Sequence, residues 1–227
     1  MEKKLRNYFA MSDVPRLTGI GMMIAGVILL LLAWFMALGW FFWILMCVCL
    51  AGGPVLFWVA GSMRATDSDM DQIVKRGTDD MGLTPSQESK YRKKLLSLIP
   101  PQTASAYVYR EGLMLARCKD GTVRSEEYAK AMIYVLTDGI VVVSRTLSLI
   151  SEEKENQTVE IPFAQLEKAQ LVSEKKLLSF GKKSFEVKET LLQLLYDGTT
   201  MCLPTHRDFK IEQFVEKLNK LAAEHKN

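Results

Sequence analysis

The chain of 227 residues contains two histidines, His206 and His225, so a Ser-His-Asp triad or a histidine-based metal site is poorly supplied. Its four cysteines are no richer in chemistry. Cys47 and Cys49 fall inside a long apolar run, while Cys118 and Cys202 are single and far apart, which is neither a disulfide framework nor a metal-ligand pattern. Gly181 stands before Lys182-Lys183 but lacks the earlier glycine of a phosphate loop, and Gly19, Gly21 and Gly26 are embedded in apolar sequence. These residue types predict no catalytic residues, no metal and no cofactor, and hence a protein that is not an enzyme.

The cations are the remaining candidates. Lys90, Arg92, Lys93 and Lys94 form a basic cluster close in sequence to the apolar run, where each cation near an anionic membrane surface contributes about 1 kcal/mol. A solvated helix face has the same pattern, and the residue types do not separate the two. Lys175, Lys176, Lys182 and Lys183 flank Leu177-Leu178, a pattern that suits a membrane-facing or an ordinary solvent-facing hairpin. The formal charge is only +3, and outside the apolar run acids and bases nearly balance, so there is no electrostatic footprint for nucleic acid.

These residues must be positioned by elements of two kinds. From Leu17 to Met63 the chain has no Asp, Glu, Lys, Arg or His. At ~1.5 Å per helical residue, 17–38 and 40–63 each reach beyond the roughly 30 Å of a hydrocarbon core, with Gly39 at the turn. The segment 17–63 thus reads as a two-helix transmembrane hairpin after a tail at 1–16. A signal peptide would have an apolar region of only about 7 to 15 residues. Trp34, Trp40, Phe41, Phe42 and Trp43 surround the turn as an interfacial aromatic belt would. Lys3, Lys4, Arg6 and Arg16 precede the first span and Arg64, Lys75 and Arg76 follow the second, while the turn has no cation. Basic residues resist translocation, so both termini are expected on the cytoplasmic side of the plasma membrane, with the bilayer as first partner. Gly21 and Ala25 form a small-xxx-small pair, with Gly19 and Gly26 nearby. These small residues can pack the hairpin on itself or serve a homo-oligomer or another protein.

The segment 64–104 reads as a helical linker. Thr84, Pro85 and Gln87 have the form of a helix start, with capping hydroxyl, proline and reciprocal amide, and Pro100-Pro101 would end that helix near Ile99. From 105 to 227 the pattern becomes short strands. Asp120-Gly121, Asp138-Gly139 and Asp197-Gly198 separate β-rich runs as tight hairpin turns do. Val159, Ile161 and Phe163, and likewise Phe185 and Val187, alternate with polar residues. Ile211, Phe214, Val215, Leu218, Leu221 and Ala222 then make one stripe of a closing amphipathic helix, for which Asp208 is a suitable cap. The expected class is α+β.

The segments Tyr134-Val-Leu-Thr-Asp-Gly-Ile140, Val159-Glu-Ile-Pro-Phe-Ala-Gln-Leu166 and Leu203-Pro-Thr-His-Arg-Asp-Phe209 resemble successive motifs of bacterial pleckstrin-homology-like (PH-like) and GRAM-like domains. In layout the chain is similar to the YcxB-type membrane proteins, which join a transmembrane hairpin to such a domain. The resemblance implies a bent antiparallel β-barrel capped by the C-terminal helix, and a non-catalytic binding or scaffolding module. The alternatives are a structural subunit of a membrane complex and a lipid-headgroup-binding domain. For the last, Arg110, Arg117 and Lys119 imitate the basic phosphoinositide signature on the first hairpin of eukaryotic PH domains.

Overall fold

The computed structural model describes residues 2–10, 14–36, 40–96 and 99–225. They divide into two units, Met1–Asp67 and Ser68–Asn227. In the first, α1 (Glu2–Ala10) precedes two long apolar helices, α2 (Val14–Met36) and α3 (Trp40–Ser62). Both are long and apolar enough to cross a membrane. The turn expected at Gly39 lies outside the described residues.

Helices α2 and α3 meet through glycine. A Cβ on Gly19 would stand 2.9 Å from the Gly53 carbonyl oxygen, and one on Gly26 would stand 2.7 Å from Leu50. Close approach of two backbones needs residues without side chains there. Gly21 has nothing within 4 Å of a Cβ built on it, and Ala25 is exposed. The hairpin's own seam therefore runs along Gly19 and Gly26, not along Gly21 and Ala25. Residues 19 and 26 are two turns apart on one side of a helix, and residue 21 is rotated from 19 by roughly 200°. Pro54 sits inside α3 without interrupting it.

The expected tail at 1–16 contains a helix folded against the exit of α3. Leu5, Tyr8 and Phe9 of α1 are buried. The Ala65 amide donates to the Lys4 carbonyl at 3.2 Å, the Asn7 amide to the Met63 carbonyl at 2.9 Å, and the Tyr8 hydroxyl to Asp67 at 2.6 Å. The Arg64 guanidinium lies 5.5 Å from the centre of the Tyr8 ring.

In the second unit, α4 (Asp67–Thr78) and α5 (Pro85–Tyr91) precede nine strands and a last helix. β1 (Gln102–Tyr107), β4 (Glu127–Val135), β5 (Gly139–Ser148) and β6 (Lys154–Pro162) form one antiparallel sheet in that spatial order. β2 (Leu115–Arg117) and β3 (Val123–Ser125) form a small hairpin between β1 and β4 in sequence. β7 (Leu166–Phe180), β8 (Lys183–Tyr196) and β9 (Thr199–Thr205) form a second antiparallel sheet, and α6 (Phe209–Glu224) follows. The class is α+β with antiparallel sheets. The three ladders stay separate, and among the described residues they form no closed barrel.

One core joins the two larger sheets to α6. Ile133, Ile140, Val142, Ile161 and Phe163 of the first sheet region meet Leu192, Leu194 and Leu203 of the second, and Ile211, Phe214, Leu218 and Ala222 of α6 fill the space between. The apolar stripe of α6 is thus buried, and Asp208 accepts from the Ile211 amide at 2.8 Å as its cap. Asn219 on the same helix accepts from the Ala169 amide at 2.8 Å and donates to the Ala169 carbonyl at 2.9 Å. A side-chain amide there satisfies the edge of β7 as a neighbouring strand would.

The outer face of the first sheet is covered by the segment expected to be a linker. Tyr91 is buried with Leu136, Val141 and Val143, and a Cβ on Gly77 would meet Leu147 at 2.4 Å. The Lys130 ammonium donates to the Thr78 carbonyl at 3.1 Å. The capping box at Thr84 and Gln87 is formed, with both reciprocal bonds present. Helix α5 nevertheless ends at Tyr91, well short of Ile99. Burial of Tyr91 turns the chain into the sheet, where Leu95 makes a bridge to Leu136. β5 is consequently buried on both faces.

Turn chemistry is as expected at Asp197-Gly198 and differs at the other two Asp-Gly pairs. Asp197 and Gly198 have φ of 47° and 68°, as a two-residue primed turn demands. Gly121 has φ of 85° in the longer β2–β3 turn. At Asp138-Gly139 neither residue has positive φ among those that do. Gly139 is there for space, because a Cβ would stand 2.4 Å from the Ile161 carbonyl oxygen of β6.

Candidate functional site

The strongest concentration of chemistry in the second unit is a cavity of about 710 Å³, bounded by α4, the ends of β1 and β4, the β2–β3 hairpin and β8. Three tyrosines line it. Tyr107 and Tyr128 are directly opposed on β1 and β4, with ring centroids 5.3 Å apart and planes at 81°, the edge-to-face arrangement that aromatic quadrupoles favour. Tyr109 follows them, and its hydroxyl donates to the Val123 carbonyl at 2.5 Å. Burial raises the pKa of both Tyr107 and Tyr109, the latter being pushed up to about 12, so both hydroxyls keep their protons at neutral pH.

Charge is distributed unevenly around this wall. The Arg124 guanidinium lies 5.8 Å from the Tyr107 ring centre and pairs with Asp71 of α4 at 2.9 Å. Glu186 pairs with Lys175 at 3.4 Å. Lys75 from α4, Lys188 from β8 and His206 complete the lining. Both carboxylates at the cavity therefore have a cation already, while Lys75 and Lys188 have no ion pair among the described residues.

A second, smaller cleft of about 300 Å³ lies where the first sheet faces β9. Its floor is built of small residues, Ala104, Ala129, Ala131 and Ser144, and Arg110, Glu127, Glu155, Gln157 and Cys202 stand around it. Alongside it, Arg145 is buried and donates to Asn156 at 2.6 Å, to the Gly77 carbonyl at 2.8 Å and to Asp80. Arg145 is a structural tie between β5, β6 and the end of α4. Its hydrogen bond holds the Asp80 carboxyl below the usual carboxylate range. Glu189 is likewise buried and paired with Lys176.

The cations singled out in the sequence are dispersed. Arg110 pairs with Glu127 at 2.5 Å and lines the smaller cleft. Arg117 is exposed at the end of β2 and Lys119 is exposed in the β2–β3 turn, and neither lines either cavity. In the basic cluster, Lys90 donates to Glu160 at 2.8 Å and to the Tyr91 hydroxyl at 3.0 Å, and Lys94 donates to Asp138 at 2.6 Å. Those bonds raise both lysines above the usual range and lower both acids. Half of the cluster thus fastens α5 and the following turn to the sheet, while Arg92 and Lys93 are exposed. The tyrosine cavity was not legible in sequence, because its residues come from α4, β1, β3, β4, β8 and the segment after β9 and share no spacing. Lys75, Gly121, Val187 and His206 each belong to a separate local pattern in the sequence, and none of those patterns points to the others.

No family model matches the chain, and no curated protein or solved structure matches it.

Proposed function

We propose that this chain is a membrane-anchored PH-like domain, acting as a non-catalytic binding or scaffolding module at the cytoplasmic face of the plasma membrane. The observation that carries this reading is the order of the second unit. A four-stranded antiparallel sheet and a three-stranded one share a core, and the amphipathic helix that follows them buries Phe214 and Leu218 in it. That is the element order of a PH-like domain once the β2–β3 hairpin is taken as an insertion. Two helices of membrane-crossing length precede it, flanked by cations on the sides away from their turn.

Orientation can be read on a native residue. Cys202 is exposed on β9. A membrane-impermeant maleimide should label it only after the cells are permeabilised, with Cys202→Ser as the control. Labelling in intact cells would refute the cytoplasmic placement.

The structural-subunit alternative is favoured by one observation, the small outward pair Gly21 and Ala25 that the hairpin does not use for its own packing. In-cell cross-linking followed by isolation separates the two readings. A partner held by the full chain and lost from Met1–Asp67 alone supports the domain as the binding element. A partner retained by Met1–Asp67 moves that role to the hairpin.

A further inference from the structure

We infer that the tyrosine cavity is a binding site for a small planar aromatic anion, a ring compound bearing a phosphate or carboxylate. The site belongs to the second unit alone and goes beyond the proposed module function, because it holds whichever macromolecule the domain engages.

The volume of about 710 Å³ is that of a small-molecule site. The Tyr107–Tyr128 pair offers ring faces and edges on one wall, with Val74, Val123 and Val187 also lining the cavity, a surface suited to a flat apolar body. Neither the Tyr107 nor the Tyr128 hydroxyl has a hydrogen-bond partner among the described residues, so both are available to a ligand's polar edge.

The charge requirement follows from the pairings. Asp71 and Glu186 are each matched by a cation, leaving Lys75 and Lys188 as unmatched positive groups on two different elements at the cavity. A neutral aromatic would leave those cations unused. A saturated polyol phosphate would meet the cations and leave the tyrosine wall without a partner. A planar ring with an anionic substituent uses both.

The test is ligand-detected saturation-transfer NMR on the full chain in phosphatidylcholine nanodiscs at low ionic strength, with protein-free nanodiscs as the blank. Four probes are compared: adenosine 5′-monophosphate, 4-hydroxybenzoate, adenosine and inositol 1-phosphate. The two aromatic anions should bind, with transfer strongest to ring protons, and adenosine and inositol 1-phosphate should bind at least about tenfold more weakly. Replacing both unmatched cations, Lys75→Ala with Lys188→Ala, should weaken the nucleotide by about tenfold, the effect of two charge contacts of roughly 0.7 kcal/mol each. The charge-matched control, Lys182→Ala with Lys183→Ala at the exposed β7–β8 tip, should change it by less than about twofold. All four lysines are exposed, so unchanged circular dichroism is expected of both double variants. Inositol 1-phosphate binding as tightly as the nucleotide, equal losses in the two double variants, or transfer no greater than in the blank would each overturn the assignment.

Discussion

The α2–α3 hairpin and the β-rich unit are built from the same kinds of side chain and dispose of them in opposite ways. In the hairpin, Leu17 is 64% and Trp58 73% exposed, and the inner seam is made by glycine. In the second unit Ile133, Ile140 and Val142 are fully buried. The difference teaches which solvent each region is made for. Two helices that hide almost none of their apolar surface need a surrounding that is itself apolar, and their contact depends on fit. The sheet unit gains its stability by removing apolar area from water, so its vulnerable positions are large side chains.

The largest test of that contrast is truncation. A chain beginning at Ser68 should unfold cooperatively, because it keeps α4 and α5 over Val141, Val143 and Leu147. A chain beginning at Ser105 loses that cover and the first half of β1, and should lack a cooperative transition in urea followed by circular dichroism. Equal transitions would return 68–104 to the status of a linker. Next in size, Phe214→Ala should destabilise the Ser68 chain by about 3 to 5 kcal/mol, out of the ~5 to 15 typical of a domain. Lys217→Ala on the exposed side of the same helix should stay within about 0.5 kcal/mol. Equal midpoints would mean that α6 does not close the core.

Two glycines sharpen the comparison at about 1 to 3 kcal/mol, the usual cost of forcing atoms into a packed place. Gly139→Ala should destabilise the sheet unit, since its Cβ has only β6 backbone to meet. In the hairpin, Gly19→Leu should lower the melting temperature in micelles while Gly21→Leu leaves it unchanged. All four tryptophans lie in α2 and α3, so tryptophan fluorescence reports on that region alone. If Gly21→Leu proved the harmful change, the seam would run along the other side.

The smallest effect is on acid stability. Asp80, Asp138 and Glu160 are held below their usual range first by hydrogen bonds from Arg145, Lys94 and Lys90. The unfolded chain then binds protons more readily than the folded one as the solution becomes acidic. Their contribution is therefore present above the ordinary carboxylate range and is lost as pH falls through it. The urea midpoint should be level from about pH 7 to 5 and decline below about pH 4, with a shallower decline in Glu160→Gln. A midpoint rising toward pH 3 would contradict these pairings.

What sequence could show was local. Thr84-Pro85-Gln87 and Asp197-Gly198 carry their geometry within a few residues, and the stripe from Ile211 to Ala222 carries the period of its helix. Helix α4 carries a weaker signal, because its buried side is only Met70, Ile73, Gly77 and Thr78 amid charged and polar residues of both signs. The reason for Gly139 lies on another strand. The end of α5 at Tyr91 and the tie made by Arg145 likewise depend on partners more than forty residues away in the chain. The tyrosine cavity is assembled in the same long-range way.

The position of α6 in the chain has a consequence in time. Roughly 160 residues separate the end of α3 from the end of α6. At ~5 to 20 residues per second the ribosome needs roughly 10 to 30 s to cross that interval. The apolar hairpin is therefore complete long before the helix that covers Ile140 and Val142 exists. Throughout that delay the nascent sheets wait, tethered and unsealed, and a chaperone has a defined window in which to hold them.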